Sequence, residues 1–278
     1  MGADMVNKQH AHTQEMKHRL VRLDQVTPPL LLLVLLLVGW QVVTTVWQIE
    51  PWLLPSPLQI VQAALDARGL LGPHIWQTMV ETLVGFALAT TVGFGLALTI
   101  DFSTTLRRAI YPILVVSQTV PIVAIAPLLV IWFGYGILPK VLVVSLVCFF
   151  PIVVSMADGL QSADPDLIAL LQAMGATRRQ VFWKVRLPGA LPAVFSGIKI
   201  AITYSVIGAI IGEWVGASRG LGVFMLRSTN AFRTDWLFAA IAITALLSVI
   251  LFLIVSGLER ALLPWYHTAQ REEQWEEL

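Results

Sequence analysis

Apolar stretches alternate with short polar ones along this 278-residue chain. Six stretches, at residues 28–49, 76–100, 109–133, 138–157, 191–213 and 236–258, are long enough to cross a hydrocarbon layer of about 30 Å as helices rising about 1.5 Å per residue. Backbone groups in lipid must be satisfied within their own segment, so all six are expected to be helical. The expected plan is a polar N-terminal tail at 1–27, a six-helix membrane domain at 28–265 and a C-terminal tail at 266–278. The first span continues through Trp40 and Trp47 without a small-x-small cleavage site, which reads as an uncleaved helix.

Within the spans, small residues recur at helical spacing. Gly85, Ala89, Gly93 and Ala97 form one stripe in the second span, which predicts close packing by another helix. The fifth span carries two, Gly197-Ala201-Ser205-Ala209 and Gly208-Gly212-Gly216, of which one is free to line a cavity. The third span holds Pro112, Pro121 and Pro127, with Ser117, Gln118 and Thr119 between the first two. Proline frees carbonyls that need other partners, and both an aqueous path and a packed kink supply them. Glu81, near one end of the second span, reads as facing water, and Lys199, two turns into the fifth, as reaching for the headgroups.

The longest polar interruption, at 158–190, is itself coded as helix. Asp164 is a natural N-cap with Pro165 at the first helical position. Leu167, Leu170, Leu171 and Met174 then share a face, and Gly175 suits a left-handed C-terminal position. Thr177 and Gln180 have capping-box spacing for a second helix with Val181, Phe182 and Val185, which Leu187-Pro188-Gly189 is expected to end. The result is a helical hairpin with an apolar face, suited to docking. On the other side of the membrane, Ser56-Pro57 starts a short surface helix with Leu58, Val61 and Leu65 on one face.

Composition agrees with a membrane protein. The chain is 57% hydrophobic and 13% charged, against roughly 25% charged in soluble domains. A net charge of +1 offers no case for nucleic acid, and the single Cys148 excludes an internal disulfide or a cysteine-based metal site. With the N-terminus inside, the inner segments hold thirteen Lys and Arg residues and the outer ones five, so both termini and the 158–190 loop are expected in the cytosol. His10, His12 and His18 have no acidic or cysteine partners arranged around them and read as part of a solvated tail.

Gly175, nine residues, Val185, one residue, then Leu187-Pro188 resembles the EAA loop of binding-protein-dependent ABC importer permeases, EAA-x3-G-x9-I-x-LP. Here the triplet is Ala169-Leu170-Leu171, without the family glutamate, and Val185 stands for isoleucine. Three further stretches carry the likeness: Leu54-Pro55-Ser56-Pro57, then Pro127-Leu128 with Trp132-Phe133-Gly134-x-Gly136, and the glycine-rich run Gly216 to Gly222. They resemble the nitrate, sulfonate, taurine and thiamine-pyrimidine-precursor branch of that family.

The resemblance implies an all-α type I (MetI-like) permease in the bacterial cytoplasmic (inner) membrane. Its partners would be two ABC ATPase subunits, an extracytoplasmic substrate-binding protein, a second copy of the chain and membrane lipid. The coupling residues would be Ala169, Leu170, Leu171, Met174, Gly175, Val181, Phe182, Val185, Leu187 and Pro188. ATP and magnesium would belong to the ATPase, with no cofactor in this chain. The sequence accords with a non-catalytic subunit, having no G-x-x-x-x-G-K-[ST] loop, no GxSxG elbow, no HExxH helix and no evident pair of intramembrane carboxylates.

For the substrate path the candidates are Ser117, Gln118, Thr119, Tyr204, Ser205, Glu213 and Trp214. A carboxylate beside an indole suits a cationic or nitrogenous ligand. An interfacial tryptophan beside a solvated glutamate, or a glutamate paired with Arg219, is the competing reading. The Gly212-Glu213-Trp214-Val215-Gly216-Ala217 stretch looks most like permeases for a thiamine pyrimidine precursor (hydroxymethylpyrimidine-like) or related heterocycle, with nitrate, alkanesulfonate or taurine as the alternative. An ATP-independent channel or secondary carrier is the rival of another class.

Overall fold

The computed structural model describes residues 27–266, and among these all regular structure is helical. Residues 1–26, the histidines at 10, 12 and 18, and 267–278 lie outside the described residues. Five helices are long and apolar enough to span a membrane: α1 (Thr27–Val46), α3 (Arg68–Phe102), α6 (Leu138–Gly159), the run Arg178–Trp214, and α11 (Thr234–Leu262), with the shorter α2 (Pro57–Asp66), capped by Ser56, between α1 and α3. The pair α4 (Thr104–Ser117) and α5 (Ile122–Phe133) makes a sixth if taken as one span.

That third span is sharply bent. α4 and α5 meet at 98° across residues 118–121. Pro121, lacking an N–H, stands as the N-cap of α5, while the Ser117 and Thr119 hydroxyls donate back to the Leu114 and Val116 carbonyls at 2.7 and 2.8 Å. The chain thus leaves the helix with local partners for the carbonyls the bend exposes. Pro112 and Pro127, by contrast, lie within α4 and α5.

The bundle is built around α6, which is clasped between α3 and the part of the run from Leu187 to Trp214. The α3 stripe is buried throughout, with Gly85 against Val144 and Gly93 against Ile152 and Val153. Both small-residue stripes of α9 (Leu187–Trp214) also meet α6. Gly197 abuts Pro151 and Ser155, Gly208 meets Val144 and Val147, and Gly212 meets Lys140. Where lipid supplies no hydrophobic drive, the close approach of backbones and the dispersion contacts it allows hold the pair together. The Ser145 and Cys148 side chains, buried on α6, donate to carbonyls of Gly85 and Ala201, which knits the three helices.

Two ion pairs join the helix ends. Arg186 donates to Asp101 at 2.6 Å and also to the Leu160 carbonyl, fastening the end of α3 to the end of α6. Lys199 does not reach for headgroups; its ammonium lies 2.8 Å from the buried Glu259 of α11. A cation two turns inside a bundle finds a better partner in a neighbouring helix than at the end of an extended side chain.

Candidate functional site

The polar loop forms the expected hairpin. α7 (Pro165–Ala173) starts at Asp164, whose carboxylate accepts from the Asp166 N–H at 2.8 Å. It ends at Gly175, at φ +85°, where Ala176 N–H donates to Leu171 O and Gly175 N–H to Gln172 O. These two bonds define a Schellman close, and only glycine takes that φ without strain. α8 (Arg178–Val181) opens with the reciprocal Thr177–Gln180 capping box.

The second helix does not stop at Leu187-Pro188-Gly189. Residues Phe182–Arg186 widen into a π turn in which Leu187 N–H donates to Phe182 O, and the helix continues into α9. Pro188 has no N–H to give to the preceding turn, and the wider turn accommodates that loss without ending the helix. The second arm of the hairpin and the membrane helix are therefore one continuous helix of 37 residues from Arg178 to Trp214.

The coupling candidates divide by exposure. Leu170 and Met174 stand out from the hairpin, with Met174 75% exposed; Ala169 and Gly175 are also exposed, and Leu171 is half-buried. Val181 is buried, while Phe182 packs on the cluster of Ile100, Leu114, Val153 and Leu160 and faces the Phe102 ring at 5.9 Å. Val181 and Phe182 thus form the root of the hairpin rather than part of its outward apolar face, because their helix runs straight into the bundle. Val185, Leu187 and Pro188 are half-buried at the junction. The outward face instead includes Leu167 and, across the turn, Trp183, which the sequence reading passed over. Val181, Phe182 and Trp183 are three consecutive apolar residues, and helical spacing alone cannot say which of them faces out. A hollow of about 640 Å³ at the root is lined by Asp101, Phe102, Ile168, Val181, Phe182 and Arg186.

The path candidates do not come together. Ser117, Gln118 and Thr119 lie exposed at the α4–α5 corner, and Tyr204 and Trp214 are half-exposed on the face of α9 that also carries Ile200 and Ile207. Ser205 is fully buried on the opposite face and donates to the Ile202 carbonyl.

Glu213 is also buried, at the end of α9 far from the hairpin. It faces neither solvent nor Arg219. Its Oε1 accepts from the Thr78 hydroxyl at 2.5 Å and its Oε2 from the Gly222 N–H at 2.6 Å. Thr78 in turn accepts from the Leu221 N–H at 2.8 Å, and His74 Nδ1 lies against the Gly220 backbone, 2.7 Å from its carbonyl oxygen and 2.9 Å from its amide nitrogen. The first amides of α10 (Leu221–Asn230), which have no partner within their own helix, are thus met by side chains of α3 and α9. A Cβ on Gly220 or Gly222 would strike the Glu213 carboxyl, and Gly220 sits at φ +135°. The glycines are needed so that this carboxyl can lie beneath the turn.

Glu81 does not face water: it is 1% exposed, and its carboxyl lies next to that of Glu213. Its Oε1 accepts from Gln77 at 2.9 Å, while Oε2 has no donor among the described residues. A pair of buried carboxyls is therefore present where the sequence offered none. Its members are 132 positions apart, so only the packing of α3 on α9 brings them together. Among the described residues no cluster of three or more His, Cys, Asp or Glu side chains is placed to hold a metal ion.

Comparison with known proteins gives this architecture a context. Residues 89–267 match the family model described as binding-protein-dependent transport system inner membrane component. The chain is 41% identical to the formylaminopyrimidine transport permease ThiX of Halalkalibacterium halodurans over 242 residues, covering 87% of this chain and 96% of that one. It is 35% identical to the taurine transport system permease TauC of Escherichia coli over 267 residues, 93% and 97% of the two chains. Among solved structures, an inward-facing MetNI methionine ABC transporter superposes with a TM-score of 0.62 at 21% identity, covering 70% of this chain and 97% of that one.

Proposed function

The chain belongs to the family of binding-protein-dependent transport system inner membrane components, as a multi-pass, non-catalytic permease of the MetI type, and from that premise we propose that it imports a thiamine pyrimidine precursor or a related heterocycle. The 41% identity to a formylaminopyrimidine permease over nearly its full length supports the substrate class. A taurine permease at 35% keeps a small sulfonate as the second reading.

In this reading the hairpin at 158–190 lies in the cytosol and seats in an ATPase, which holds ATP and magnesium. Two copies of the chain, each with one ATPase, enclose the path, and a loaded substrate-binding protein delivers on the outer side. The observation that carries the coupling role is the continuous helix Arg178–Trp214, which joins an exposed apolar hairpin to the far side of the bundle. As the ATPases close, the hairpins approach and each tilts its own membrane helix. Turning a 1:99 equilibrium into 99:1 takes about 5.5 kcal/mol of differential binding, to which ATP and the loaded binding protein both contribute. Ile200, Tyr204, Ile207 and Trp214, on the face of α9 turned away from α6, are the candidates for the path wall.

Met174→Asp tests the seat. The charge is expected to abolish co-elution with the ATPase while insertion and the melting temperature of the permease stay as in wild type; unchanged co-elution would move the seat elsewhere. Reconstituted with its ATPase and binding protein, the transporter is expected to take up formylaminopyrimidine in preference to taurine. Uptake driven by an ion gradient without an ATPase would refute the importer reading.

A further inference from the structure

Glu213 stands at one end of a helical run whose other end is the hairpin. At 1.5 Å per residue those 37 residues span about 55 Å. At its far end the run is tied to two other elements at once. Glu213 holds the Gly222 amide of α10 and the Thr78 hydroxyl of α3, while Thr78 holds Leu221 and His74 holds Gly220. These bonds are shielded, since Thr78, Glu213 and Leu221 are at most 1% exposed. Between Trp214 and Leu221 the backbone has two glycines at positive φ, Gly216 and Gly220, a region that glycine enters without steric cost.

We propose that Thr78 and Glu213 are positioning residues that latch the Gly220–Gly222 turn onto α3 and α9, so that a load on α10 is carried along α9 to the hairpin instead of being absorbed at the turn. Neither residue contacts substrate in this role. A hinge at Gly216–Gly220 would let α10 move without α9; the latch removes that freedom. α10 packs on α11 through Phe224 and Trp236, whose stacked rings are 5.6 Å apart, so the element that receives the load is itself firm. Transmission presupposes the ATPase-driven import proposed above, whereas the latch itself does not.

The test compares Thr78→Val, which keeps the side-chain shape and removes the hydroxyl, with Thr78→Ser, which restores it. On the purified permease alone, amide hydrogen exchange at residues 220–222 is expected to rise about tenfold or more in the valine variant and to return toward wild type in the serine variant. In the transporter assembled with its ATPase, hydrolysis without binding protein is expected to be unchanged by Thr78→Val, while stimulation by loaded binding protein falls about tenfold and recovers with serine. General destabilisation would lower both rates together. If Thr78→Val does not insert, Glu213→Gln, which leaves one acceptor where two are used, is expected to speed the same exchange. Equal exchange at 220–222 in variants and wild type overturns the latch; a loosened turn with full stimulation overturns the transmission. Because the exchange arm uses no ATPase, failure of the importer reading is told apart from failure of the latch.

Discussion

Gly85 and Gly197 mark the places where α3 and α9 come closest to α6. A Cβ on Gly197 would lie 2.5 Å from Ser155 Cβ and 2.6 Å from the Pro151 carbonyl, and one on Gly85 would lie 2.5 Å from Val144 Cβ. Backbone cannot step aside as the end of a flexible side chain can. Gly197→Ala and Gly85→Ala are each expected to destabilise by about 1–3 kcal/mol, read as a lower melting temperature in detergent. Gly95 lies on the same helix as Gly85 but has open space around it. There Gly95→Ala is expected to be neutral or to stabilise by up to about 1 kcal/mol, since only the backbone-entropy term remains. A uniform response at the three positions would mean that the stripes are not the packing faces. The same scale explains Glu213: in sequence it is a carboxylate beside a tryptophan, and in the structure the two side chains go separate ways, Trp214 half-exposed and Glu213 beneath a turn.

At the scale of elements, the hairpin is rooted by the Asp101–Arg186 pair. Asp101 is nearly buried, and Arg186 also donates to Leu160 O at the start of the loop. Removing one partner leaves a charge in poor solvent without its counterpart, a change that costs about 3–5 kcal/mol at fully buried pairs and less where, as for Arg186, water retains partial access. Asp101→Ala is expected to speed amide exchange across 160–186 and to weaken ATPase co-elution. Met174→Asp, in contrast, is expected to lose co-elution with the exchange pattern intact. Asp101→Ala/Arg186→Ala should recover part of the protection, since no orphan charge then remains. If exchange across the hairpin does not respond to Asp101→Ala, the pair does not anchor it.

For the whole molecule, the decisive quantity is orientation. The imbalance of thirteen basic residues against five is the ground for expecting the hairpin inside and the Gly216–Gly222 turn outside. The chain provides its own background for testing this, because its one cysteine is buried and therefore unreactive toward impermeant reagents. In oriented vesicles Leu170→Cys is expected to label only from the cytosolic side and Arg219→Cys only from the opposite side, with no labelling of the parent chain. Reversed labelling would put the apolar hairpin out of reach of any cytosolic ATPase and remove the basis for coupling.

Much of this architecture is local chemistry and was legible in the sequence. Asp164, Gly175 and the Thr177–Gln180 box act on backbone groups within a few residues of themselves, so the hairpin could be read from one stretch. Span lengths and the small-residue stripes follow from helix geometry and lipid thickness. What the order of residues alone does not carry is which faces meet. Only packing decided that both stripes of α9 meet α6 and that Val181 and Phe182 turn inward. The bend at Gln118–Pro121 and the π turn before Pro188 likewise show prolines resolved in opposite ways by their surroundings, one breaking a helix and one being absorbed. Glu81, Glu213 and Thr78 meet because α3 and α9 run side by side, and contacts between distant helices are set by the geometry of the assembled bundle.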